Sequence, residues 1–526
     1  MEYGKRFIQY AKTLSLIATL GTTICLSSAG RAEVKPSALF GDHAVLQSGT
    51  VVPIWGKADA GERVTVTLNG ESRSAVADAN GKWTVSLVNL KAGGPFVMTI
   101  AGKNTILVKD VLVGEVWLGS GQSNMAFKVS KVHASYAGML DEAKEIASAN
   151  YPQVRMFIVK DTKMYEPQTE VAGEWQVCSP AVVGDWSAVG YLFARDLNQA
   201  LKEPVGVILS AFGASTAEAW VPREALVADP LLKPMVDRFD AREEFFKTHP
   251  GAMDDQAPGA PQPLNARASK PAPLRDPVQD QHQPTVLFNG MINPIIPYAI
   301  RGAIWYQGES IVGGKPGVAL YPHVMETLVG QWRARWHEGD FPFYAVQLAA
   351  LKNASNNPMV REAQSKILAL PKTGLAVTID IGDPTNVHPK NKEPLGDRLT
   401  KIALANTYGR KIEFSGPEYV SMKVEGSAIR VSFTHAAGLK TRDGGALKWF
   451  QIAGADEKFV DAEAKIVGDT VVVSSPLVSV PVAVRYAWDN YPDTANLINA
   501  AGLPAAPFRT DSFDALSSIA KEFTGK

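Results

Sequence analysis

Hydrophobic and polar positions alternate with a period of two from about Val34 to Leu107. The runs Val51–Trp55, Arg63–Leu68 and Trp83–Leu87 each read as a half-buried strand. Asn69-Gly70, Asn80-Gly81 and Gly93-Gly94 fall between or beside them, and Asn-Gly pairs favour the tight turns that join antiparallel strands. Residues 33–108 are therefore expected to form a small N-terminal β-sandwich. After Val111–Leu118 the period changes. Ala188–Gln199 and Glu326–Trp336 carry the spacing of amphipathic helices. Val205–Leu209, Gly302–Trp305, Tyr344–Leu348 and Leu375–Ile379 are short unbroken apolar runs, as in buried parallel strands. That alternation predicts an α/β domain over 109–410. Within it, 252–284 is rich in Pro, Ala and Gln and reads as a surface insertion. Alternation returns in Ala428–Phe433, Ala464–Val467 and Thr470–Ser474, predicting a second β region over 411–490. A C-terminal segment, 491–526, closes the chain with an amphipathic stretch at Phe513–Phe523 that predicts a short packing helix.

Composition narrows the function. The 526 residues suit about three folded units, and 46% apolar content supports substantial cores. Lys plus Arg and Asp plus Glu both number 53, so net charge is zero, which argues against nucleic acid or an anionic membrane as partner and leaves a small or neutral ligand. Residues 1–32 have a basic start (Lys5, Arg6, Lys12), an apolar-to-small middle and Ala29-Gly30-Arg31-Ala32. This is the pattern of a cleaved export signal, so a bacterial periplasmic or secreted location with no membrane span after its removal is expected. Cys25 would leave with it and Cys178 would remain alone, which excludes an internal disulfide.

Candidate chemistry gathers where apolar runs end. Trp117–Met125 places Ser123 in a Gly-containing turn just past a buried strand, the edge of an α/β sheet where ligands bind, and at a helix start whose free amides can stabilise an oxyanion. Gly206–Ser215 presents the backbone amide of Gly213, with Trp220 following. Gly302–Ser310 brings Gln307, whose side-chain amide can donate to an oxyanion, and Glu309, able to position a basic side chain or to pair with an arginine such as Arg361. Thr378–Lys392 carries His388 in a polar loop before a helix at about Leu395–Tyr408. An imidazole there can take a serine proton and return it to a leaving alcohol. Among the 8 histidines, His282 and His337 lack such surroundings and read as solvated. No metal-ligand spacing stands out near His388, and no cofactor is expected. Trp220, Trp305 and Tyr306 are candidate sugar-stacking residues.

Gly121-Gln-Ser-Asn-Met125, Trp305-Tyr-Gln-Gly-Glu309, Arg361-Glu-Ala-Gln364 and Asp380-Ile-Gly-Asp383 followed by His388-Pro389 resemble the sialate O-acetylesterase family of SGNH hydrolases, which are carbohydrate esterases. The resemblance runs from about Ala38 to Thr510 and includes Val484–Asn490 and Gly502–Arg509. It implies a three-layer α/β/α catalytic domain with accessory β-sandwich-like regions, a serine nucleophile (Ser123) and a histidine base (His388) acting without metal. It also implies an oxyanion site built from the Ser123 amide, Gly213 and Gln307. Many SGNH hydrolases carry an Asp three residues before the His, but here that position is Thr385. Asp383 is the favoured orienting acid, with Asp380, Glu309 or a backbone carbonyl as alternatives. The expected substrate is an acetylated carbohydrate: plant-wall polysaccharide such as xyloglucan or xylan, or acetylated sialic acid. Two other readings remain open: a glycoside hydrolase using Glu309 and Asp383, or a non-catalytic carbohydrate-binding protein. The sequence leaves the oligomeric state open.

Overall fold

The computed structural model describes residues 33–134, 136–259, 272–311 and 314–513. The expected export signal, most of the predicted Phe513–Phe523 helix and the centre of the 252–284 insertion lie outside them.

One strand organises the molecule. Thr105–Gly121 begins as the partner of Gly93–Ala101 in the N-terminal unit and continues, without a break, as the central strand of the catalytic sheet. The expected boundary at 108/109 therefore cuts a continuous element. The sheet runs Trp175–Cys178, Tyr151–Ile158, Val205–Ala211, Thr105–Gly121, Gly302–Tyr306, Phe343–Val346, Thr373–Ala376. Every neighbour pair in it is parallel except the edge strand Trp175–Cys178. The chain fills one side of the long strand first and then crosses to the other, so the order reverses at Thr105–Gly121. In open α/β sheets such a switch point opens a crevice at the carboxyl ends of the strands.

Helices flank this sheet. Ala188–Leu201 is capped by Ser187, whose hydroxyl accepts from the Gly190 amide, and it packs against Glu393–Asn406. The helix expected from Glu326 begins at Gly314 and runs through Pro322 to Trp336. The strands are buried along their length because both faces are covered, which is why they read as continuous apolar runs.

In the N-terminal unit, Arg63–Leu68 and Glu71–Val76 form a hairpin around Asn69-Gly70, both at positive φ (47° and 84°) as that turn requires. Its apolar residues merge with those of the α/β domain into one core. The C-terminal unit differs. Two four-stranded antiparallel sheets enclose a separate core around Ile429, Ile452, Val471 and Tyr486. The unit extends past residue 490, since Phe508–Arg509 pairs with Ala483–Tyr486. Its contacts with the α/β domain include polar ones. Buried Asp380 accepts two bonds from Arg398 (both 2.7 Å) and lies 2.8 Å from Arg442, and Arg509 pairs with Glu362 at 2.8 Å.

Candidate active site

Strand register assembles the site. Gly121 stands opposite Ala211 on one side and Tyr306 on the other, so the residues just beyond that rung, Ser123, Gly213 and Gln307, emerge together. Gly121 has φ +132°, and a Cβ there would lie 2.2 Å from the Tyr306 carbonyl oxygen, so only glycine lets the chain turn this close to its neighbour. Gln122 ties the turn down. Its amide donates to the Tyr306 carbonyl (2.9 Å), and its side-chain oxygen accepts from the amides of Gly308 and Ser310 (3.3 Å each). Ser123 then opens the short helix Ser123–Ala126.

His388 reaches this point from the loop after Thr373–Ala376. Its Nε2 lies 2.8 Å from Ser123 Oγ, although 265 positions separate the two residues. Gly213 is adjacent: a Cβ built on it would lie 3.8 Å from that of Ser123. Burial and the nearby Lys392 ammonium lower the His388 pKa to about 4, so the ring is neutral and its free lone pair is available at ordinary pH.

Several expected residues sit elsewhere. Asp383 does not bond the imidazole. Its Oδ1 accepts from the amides of Thr385 and Asn386 (2.8 Å each) and from the Thr385 hydroxyl, and these bonds hold its pKa low. Pro384 and Asn386 do fold a turn, but the turn consumes the carboxylate instead of presenting it. Asp380 is locked between Arg398 and Arg442. Gln307 is fully buried and donates its side-chain amide to the Ser215 carbonyl at 3.2 Å, so it props the Gly213 loop rather than pointing at a substrate oxygen; the buried carbonyl needs that partner. Trp220, Trp305 and Tyr306 are 0–1% exposed. The two indoles pack edge to face against each other, and Trp305 also meets Trp332, so they are core and cannot stack on a sugar. Arg361 does not pair with Glu309; it donates to the carbonyls of Leu348, Ala349, Asp489 and Asn490. His282 is not simply solvated, since it bonds Asp280 at 2.7 Å.

Glu309 accepts instead from Asn124, next to the serine. The Asn124 amide also donates to the Val387 carbonyl (2.9 Å), while its oxygen accepts from the buried Lys392 ammonium (2.6 Å). Burial raises the Glu309 pKa and lowers that of Lys392. The pattern of the chain also gave no hint of Tyr136. It lies in an irregular segment, is 37% exposed, and sets its ring 4.7 Å from that of His388. Phe212, beside Gly213, is partly exposed under the Lys163 ammonium (4.7 Å).

Ser123 and a neutral His388 meet at the switch point of a three-layer α/β/α sheet, an arrangement able to hydrolyse a carboxylic ester. Residues 281–405 match the family model described as carbohydrate esterase, sialic acid-specific acetylesterase. The chain is 29% identical to the sialate O-acetylesterase of Mus musculus, over 89% of this chain and 92% of that protein. It is 28% identical to that of Homo sapiens, over 86% and 88%. A carbohydrate acetylesterase of Xanthomonas citri is 35% identical and superposes with a TM-score of 0.78, covering 91% of this chain and all of that one. The chain belongs to the carbohydrate acetylesterases, with that Xanthomonas citri protein, and is a carbohydrate O-acetylesterase. The glycoside-hydrolase and non-catalytic readings fall with that assignment. Among the described residues no helix is long and apolar enough to cross a membrane.

Proposed function

We propose that Ser123 removes O-acetyl groups from neutral plant-wall polysaccharide, such as xyloglucan or xylan, through an acetyl-enzyme. The contact between Ser123 Oγ and His388 Nε2 carries this reading. Neutral His388 accepts the hydroxyl proton as Oγ attacks the acetyl carbonyl, and the backbone amides of Ser123 and Gly213 receive the oxyanion. Neither amide donates to a carbonyl among the described residues. The imidazolium then protonates the departing sugar hydroxyl. Water, deprotonated by the same ring, releases acetate and restores the serine.

The surroundings favour an uncharged sugar. Acetylated sialic acid would bring a carboxylate that asks for a committed cation. Near Tyr136, Lys128 already pairs with Asp185 at 3.0 Å, and Lys128 and Lys163 both act on Asp161. Tyr136 and Phe212, the partly exposed aromatics beside His388 and Gly213, are the platforms that replace the buried tryptophans. The signal pattern of residues 1–32 supports action outside the cytoplasm. Acetate release from acetylated xyloglucan, acetylated xylan and acetylated sialic acid, with wild type and Ser123→Ala side by side, tests the reading. The polysaccharides should be deacetylated, and Ser123→Ala should lose at least a thousandfold in kcat. Preference for sialic acid would overturn the substrate, and an active Ser123→Ala the mechanism.

A further inference from the structure

The imidazole of His388 touches Ser123, Tyr136 and Phe127, and no carboxylate among the described residues bonds its ring. A serine esterase nonetheless has to hold its base at a fixed angle, because small displacements of the reacting groups are costly. Something else must therefore hold this loop.

The buried cluster behind the nucleophile does so. Asn124 follows Ser123 directly, and Val387 precedes His388, so the 2.9 Å bond from the Asn124 amide to the Val387 carbonyl joins the neighbours of both reacting residues. Asn124 has no freedom to turn. Its two amide hydrogens go to Glu309 and Val387, and its oxygen takes the Lys392 ammonium. Lys392 is 1% exposed and is itself fixed. Its ammonium lies 4.6 Å from the Phe127 ring and 5.4 Å from the Tyr306 ring, and its carbonyl accepts the first bonds of the helix Glu393–Asn406, from Leu395 and Gly396. Glu309 supplies the countercharge.

We propose that Lys392, acting through Asn124 and balanced by Glu309, is the positioning residue that clamps the His388 loop onto the Ser123 turn, a task that a carboxylate on the imidazole performs in triad esterases. The inference rests on Ser123 and His388 being nucleophile and base. A positive charge beside His388 also resists its protonation; the groups around that ring are Ser123, Phe127, Tyr136 and Lys392, and those around Lys392 are Asn124, Glu309, Phe127, Tyr306 and His388.

The test compares wild type, Lys392→Met and Asn124→Ala on 4-nitrophenyl acetate, with kcat, KM and the pH dependence of kcat/KM measured for each. Both variants should lose about a hundredfold in kcat with KM little changed, as expected for a misplaced base. Lys392→Met should also move the acid limb upward from about 4, because the repelling charge is gone, whereas Asn124→Ala keeps the charge and should leave the limb in place. General loss of packing would not separate the two in this way. If Lys392→Met does not fold, Asn124→Ala alone decides, and a kcat within threefold of wild type overturns the proposal. Ser123→Ala and His388→Ala run alongside: if either stays active, the dyad itself is wrong, whereas inactive dyad variants beside an active Asn124→Ala overturn the clamp alone.

Discussion

The two β units look alike in sequence but are joined to the α/β domain by different physics. The N-terminal unit shares a strand and an apolar core with it, so no plane through that junction avoids both backbone pairing and buried side chains. The C-terminal unit has a second core, into which only Val377 and Ile379 of the α/β domain reach, and it also meets that domain through Arg361, Arg442 and Arg509. A fused core should make folding of the first pair cooperative, while a junction held in part by charges allows the second unit its own transition.

Calorimetry can break this contrast. Trp117 is fully buried between Phe193 and Tyr344, with its Nε1 on Tyr408. Trp117→Ala should cost about 3–5 kcal/mol and lower the melting of the N-terminal unit and the α/β domain together. If labels in the two regions melt apart, the shared core does not couple them. Ile452→Ala, in the C-terminal core, should cost about 2–4 kcal/mol and act on the C-terminal transition while deacetylation of small esters persists; equal loss of the α/β transition would erase the distinction. Arg442 is 38% exposed, so Arg442→Gln, which leaves Asp380 on Arg398, should cost only about 0.5–1 kcal/mol and widen the gap between transitions. An unchanged gap would show that this ion pair does not couple the units.

Much of this was readable from the chain because the relevant signals are local. Alternation and Asn69-Gly70 mark a hairpin, and unbroken apolar runs mark strands covered on both faces. Ser123, Gly213 and His388 each follow such a run, which is where the sheet delivers them. The continuity of Thr105–Gly121 was hidden by Lys109-Asp110. Those polar residues look like a break, yet Asp110, at φ +54°, is held by Arg155 and His43 inside a strand that does not stop. Buried tryptophans misled for a related reason. A ring near a strand end can face the crevice or the core, and only the positions of Trp332 and its neighbours decide. The Asn124–Lys392 contact spans 268 residues, a separation that no periodic pattern encodes. Tyr136 lies where no pattern exists at all.

The rung at Gly121 carries one more consequence. Side chains alternate sides along a strand, so inserting a single residue between Glu115 and Gly121 would turn the serine half a revolution and carry it past the loops that meet it, with no chemical group removed. Sequence change in this enzyme is therefore tolerated far more readily as replacement than as insertion along that short stretch.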